Sequence, residues 1–187
     1  MILGITGTIG AGKGTVVEYL VTKGFKHYSM RAAIVEEIEK RGLPVNRVTM
    51  NEVATDMRRK HGASYFGELL RARALAEGAE NFIIESIRTT TEAGKIKGLG
   101  GFILVVDAPE SVRYERIQGR GSATDHVSLE EFRAQEAREM TSENPNDPSF
   151  MNIRGVMDMA DATIVNDGTL EEMHQKVDAA LLDLHAR

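Results

Sequence analysis

Apolar residues in this chain fall into short dense runs, and between the runs they recur at every third or fourth position. The dense runs cover residues 1–6, 25–29, 81–85, 102–107 and 162–165. The run at 102–107 is apolar at five of its six positions. A run that short and that uniformly apolar predicts a strand buried on both faces. The intervening segments read as helices. Residues 13–23 place Val16, Val17, Leu20 and Val21 at helical spacing, and residues 30–41 do the same with Ile34, Val35 and Ile38. Further helices are predicted over 51–61, 65–77, 91–97, 109–118, 128–140, 153–159 and 169–185. Gly24, Gly42, Gly62 and Gly78 each follow one of these segments, where a left-handed C-terminal cap is wanted. Ser128 with Glu131, and Thr169 with Glu172, have the form of capping boxes.

Buried strands alternating with helices predict an α/β fold, a five-stranded parallel sheet with helices on both faces. A chain of 187 residues suits one such domain over its whole length. Residues 120–150 break the alternation. They hold few apolar positions, and the helix within them carries Glu131, Arg133, Glu136, Arg138 and Glu139. This segment reads as an inserted helical lid with a solvated charged face.

Composition narrows the classes of function. The formal net charge is −5 and there is no cysteine, so neither a general attraction to nucleic acid nor thiolate metal binding or disulfides is expected. No apolar run approaches membrane-spanning length, and residues 1–6 lead directly into a glycine-rich turn, with no signal-peptide pattern. A cytoplasmic protein without membrane contact is expected. The five histidines show no ligand-like spacing, so no protein-built metal site is predicted.

That glycine-rich turn carries the clearest chemistry. Gly7-Thr8-Ile9-Gly10-Ala11-Gly12-Lys13-Gly14-Thr15 lies between the first strand and the first helix and has the spacing of a phosphate-binding loop. Glycines let backbone N–H groups close on a phosphate, the helix N-terminus adds a positive dipole, and Lys13 adds a full charge. Thr15 offers a hydroxyl nearby. The residue after the lysine is Gly14, where this loop more often has Ser or Thr.

Other candidates come from charge at strand and helix ends. Arg113, Arg116 and Arg120 stand at helical spacing after the 102–107 strand, a suitable stripe for closing on transferring phosphate. Glu85 and Arg88 follow the 81–85 strand; the carboxylate can orient metal-bound water and the guanidinium can grip an acceptor phosphate. Asp107 reads equally as the cap of the next helix.

Together these pieces resemble the P-loop nucleoside monophosphate kinase superfamily: adenylate-kinase-related proteins of archaeal type and dephospho-coenzyme A kinase. The resemblance rests on Gly7 to Thr15, on Glu85-Ser86-Ile87-Arg88 where those proteins often read Asp-Gly-x-Arg, on Arg116 with Arg120, and on residues 160–170. It implies a three-layer P-loop kinase fold, with a lid at about 120–150 and an acceptor-binding helical region at about 30–78. It also implies ATP with Mg2+, Lys13 on the β/γ-phosphates, and Asn166 and Gly168 beside the adenine. Arg31, Arg58 and Arg88 become candidates for a nucleotide-like phosphate acceptor. The usual acceptor arginine slot holds Val35, with Arg31 one turn earlier. The implied activity is phosphoryl transfer to a nucleoside or deoxynucleoside monophosphate. Dephospho-coenzyme A kinase and a slowly hydrolysing regulatory module are the alternatives.

Overall fold

A computed structural model describes residues 1–119, 127–141 and 143–187. Five strands, β1 (Ile2–Gly7), β2 (Lys26–Ser29), β3 (Phe82–Glu85), β4 (Phe102–Asp107) and β5 (Ala162–Val165), form one sheet in the order β2-β3-β1-β4-β5. Every pairing is parallel. The order reverses at β1, so its C-terminal end opens the crevice where α/β sheets bind ligands.

Alternate residues of the central strands feed two cores. Phe82, Ile84 and Ile103 face a cluster shared with α2 (Met30–Lys40), α3 (Arg47–His61), α4 (Tyr65–Ala76) and α5 (Thr90–Gly98). Leu3, Ile5, Ile83, Leu104, Val106 and Ile164 face the opposite cluster, covered by α1 (Lys13–Thr22) and α9 (Leu170–His185). This two-sided burial is what the dense apolar runs require.

Two features depart from the sequence reading. The α3 helix begins at Arg47, four residues before the expected start, because the Asn46 side chain accepts a hydrogen bond from the Thr49 amide and caps it. No apolar periodicity marks that first turn, and its Val48 is exposed.

The second departure is α7 (Leu129–Met140), which is not a solvated rod. Phe132 is completely buried and packs against Tyr114 of α6 (Glu110–Gly119) and under the Arg113 guanidinium. Glu136 and Glu139 lie four and seven residues further on, hence on the same face as Phe132. Both turn inward onto arginines. Arg113 binds Glu136, and Arg88 lies 2.5 Å from Glu139. On the outer side the exposed Arg133 pairs with Glu110.

Candidate functional site

The glycine-rich loop wraps the C-terminal end of β1, held from three sides. Thr8 donates its hydroxyl hydrogen to Asp107 at 2.5 Å, so the carboxylate at the end of β4 ties the loop down. That same carboxylate oxygen accepts from the Ala108 amide. Arg113, only 6% exposed, donates to the carbonyls of Ile9 and Ala108. Asn166, following β5, donates its amide to Ala11 O at 2.9 Å. At Gly12 φ is +89°, and a Cβ there would lie 2.3 Å from the Asn166 amide nitrogen. No other residue type fits that position without moving the strut.

Lys13, the first residue of α1, donates from Nζ to Gly7 O and Thr8 O at 3.0 and 2.7 Å. Its ammonium therefore lies over the loop's own concavity. Gly14 is exposed and its missing side chain faces open space. Arg116, half-buried, approaches from α6: its guanidinium donates to Ala11 O at 3.4 Å and to Asn166 Oδ1 at 3.5 Å. A Cβ at Gly12 would be 3.7 Å from it. The next arginine of that stripe, Arg120, lies outside the described residues.

Opposite the loop, Glu85 ends β3 beside Ile5 of β1. His27 Nε2 of β2 lies 2.9 Å from Glu85 Oε2. That hydrogen bond is the main reason the Glu85 carboxyl stays below the ordinary carboxylate range. Burial works against it, and the charges of His27, Lys13 and Arg88 assist. Nothing in the motif pointed to His27. Its signal is only visible once β2 pairs with β3, in register Ser29 to Glu85. Ser86, next in the chain, has φ +73° and is the only non-glycine with positive φ among the described residues. Its amide and that of Ile87 both reach Ile5 O. A glycine at this place in the resembling proteins suits this left-handed turn.

Between the loop and α2–α3 lies a cavity of about 540 Å³. Met30, Ile34, Val45, Met50 and Met151 supply its apolar wall. Arg31, Arg47, Arg88, Glu85 and Glu139 supply charge, and Gly10, Gly12 and Lys13 close its inner end. The arrangement brings Lys13, Glu85, Arg31 and Arg88 to one space. Arg31 is exposed and has no hydrogen-bond or ion-pair partner among the described residues. Arg47, missed by the sequence reading, enters because α3 starts early.

Three residues expected to contact ligands are engaged within the protein. Arg58 borders the cavity but is 2% exposed, and its Nε donates to Glu92 at 2.8 Å with the guanidinium over the Phe66 ring. Its Nε is engaged by Glu92 of α5. Asn166 is buried under the loop, with its amide committed to Ala11, while Gly168 packs against Glu172 of the α9 cap.

A family model described as an AAA domain matches residues 3–141. The chain belongs to that AAA-domain family. Among relatives, a UPF0200 protein of Thermococcus gammatolerans is 30% identical over 183 residues, covering 95% of this chain and 92% of that one. The chain is thus also a member of the UPF0200 family. UPF0200 protein PAE1629 of Pyrobaculum aerophilum is 29% identical, covering 98% of each. TT1252 of Thermus thermophilus superposes with a TM-score of 0.62 at 24% identity, covering 98% and 97% of the two chains. Shikimate kinase of Aquifex aeolicus gives 0.54 at 19%, covering 97% and 96%. At such identities the likeness speaks for the fold. This AAA-domain protein has the fold of the P-loop kinase superfamily, as its loop and its alternation of strands and helices led one to expect. No described helix is long and apolar enough to cross a membrane, and the described residues hold no cluster of metal-ligating side chains.

Proposed function

We propose that this AAA-domain protein is a phosphotransferase that moves the γ-phosphoryl group of ATP to a nucleoside or deoxynucleoside monophosphate. One observation carries the reading. The phosphate loop closes one end of a cavity that extends past it to an apolar wall and to further arginines. A nucleotide hydrolase needs only water at that place; a transferase needs a seat for a second molecule with its own anion.

The loop fits a triphosphate. Its glycines leave the backbone N–H groups unscreened, and the start of α1 faces the same concavity. Magnesium bound with the nucleotide supplies charge neutralisation across the phosphate oxygens. In this reading Lys13 neutralises the β- and γ-phosphates, and Thr15 places a hydroxyl beside them. Arg116 approaches the bridging oxygen as charge develops. Glu85, kept ionised by His27, orients water around the cation or accepts a hydrogen bond from the acceptor. The apolar wall formed by Met30, Ile34 and Met50 takes the acceptor's base, and Arg31 and Arg88 flank its phosphate.

The test is a coupled ADP-release assay with MgATP across ribo- and deoxynucleoside monophosphates and dephospho-coenzyme A. At least one monophosphate should raise ADP release far above the acceptor-free rate. Hydrolysis indifferent to every monophosphate would sink the reading.

His27 gives a sharper check within it. Removing its hydrogen bond raises the pKa of Glu85 from its depressed value. A carboxyl with a depressed folded pKa contributes stability above its unfolded pKa, and that contribution disappears as pH falls through the folded value. His27→Ala should therefore move the acid limb of the kcat/KM profile, and of acid unfolding, to higher pH. His27→Gln, which still carries an N–H donor, should restore part of the shift. An acid limb that stays in place in His27→Ala would remove Glu85 from the chemistry.

A further inference from the structure

Glu139 is the one acidic side chain that α7 sends into the acceptor cavity. Its side chain is 16% exposed. One oxygen lies 2.5 Å from Arg88 Nη1 and the other 3.5 Å from Arg47 Nη1. Both arginines line the same cavity, as does Arg31. Besides Arg58, which is paired with Glu92, three guanidinium groups border one space, and an internal carboxylate bridges two of them.

We propose that Glu139 occupies the seat of the acceptor's anionic group, so that the acceptor binds by displacing this carboxylate from Arg47 and Arg88. The inference rests on the cavity being the acceptor site, as argued above, and it deepens that reading by naming what the acceptor must carry. Arg88 comes from the turn after β3, and Arg47 from the first turn of α3, capped by Asn46. Arg88 is held by its backbone on both sides. Its amide faces Glu92 at 3.4 Å, and its carbonyl accepts from the Asn152 amide at 2.8 Å. Neither arginine needs Glu139 to keep its place on the backbone. The carboxylate is the movable member, a long side chain in the last turn of α7.

The identity of the competitor restricts the ligand. A tethered carboxylate acts at an effective concentration of about millimolar or above. A free carboxylate would exchange one monoanion for another and gain little against it. A neutral polyol would leave the half-buried Arg88 guanidinium without the anion it now holds, which is costly. A phosphate dianion brings nearly twice the charge and three acceptor oxygens, enough for both arginines and for Arg31. Phosphorylated acceptors are therefore selected over carboxylated or neutral ones, and Glu139 is a specificity-determining residue.

The experiment is calorimetry of the full-length protein and its Glu139→Gln variant with AMP, adenosine and shikimate, each with and without saturating MgADP. The substitution keeps the size and hydrogen-bonding capacity of the side chain but removes the charge. AMP should bind the variant several-fold more tightly and adenosine equally well. In turnover the acceptor KM should fall while kcat changes little. Adding Arg47→Ala to Glu139→Gln should abolish the gain, which separates this seat from the phosphate loop, where Arg47 plays no part. A purely positioning role for Glu139 predicts the opposite sign, weaker AMP binding in the variant. That result, or no change, overturns the proposal, and so does an equal gain for adenosine or a larger one for shikimate. The MgADP titration reads the nucleotide site separately. Failure there undermines the kinase reading, while the AMP arm still decides the role of Glu139.

Discussion

Lys13→Ala is expected to lower phosphoryl transfer by on the order of 10³-fold, about 4 kcal/mol of transition-state stabilisation, with the fold intact. The magnitude follows from place. Nζ already lies 2.7 Å from Thr8 O and 3.0 Å from Gly7 O, so a phosphate seated in the loop meets this ammonium at short range in a partly desolvated site. An interaction that strengthens as negative charge moves toward the bridging oxygen contributes to kcat and not only to binding. Stability should change little, because the two loop carbonyls released by the substitution can be hydrated. The checks are the ADP-release assay and a urea titration on the same preparation. Retention of more than a tenth of the parent rate would remove Lys13 from the mechanism. A collapse of stability would show instead that the side chain builds the loop.

The parts of the site that were legible from sequence are those set by local backbone. Gly7, Gly10, Gly12 and Lys13 fall where the motif says because a turn between a strand and a helix is a short-range object. Glu85 and Arg88 were found because they end a recognisable strand. The parallel sheet with helices on both faces followed from alternation of strands and helices; the order of its strands did not. What stayed hidden depends on which helix face meets which neighbour. Glu136 and Glu139 looked like solvated charge because two glutamates on a polar helix usually are. Only Phe132, at the same face, hinted that this side turns inward. Arg113 belonged to an apparent phosphate stripe, yet its guanidinium braces the loop from behind through Ile9 O and pairs with Glu136. His27 had no sequence signature at all, because its partner lies 58 positions away. Asn166 was placed beside the adenine by resemblance. In the structure its amide fastens Ala11.

The second large effect is on stability, at Arg58. Its side chain and that of Glu92 are 1% and 0% exposed, so each is the other's counter-ion in a buried site. Arg58 Nε donates to one Glu92 oxygen at 2.8 Å, while the other oxygen accepts from the amides of Thr89 and Arg88 at 3.3 and 3.4 Å. The same carboxylate thus closes the capping box of α5 and holds the turn that carries Arg88. Arg58→Met should cost about 3–5 kcal/mol, because it strands a buried carboxylate with no cation. Glu92→Gln introduced alongside it removes that charge and keeps an oxygen for the capping amides. The double variant should therefore recover much of the loss, a coupling that a urea-denaturation cycle measures directly. If Arg58 served the acceptor phosphate instead, Arg58→Met would raise the acceptor KM with stability nearly unchanged, and Glu92→Gln would rescue nothing. The fully buried pair requires the first outcome: loss of stability in the single variant, relief in the double.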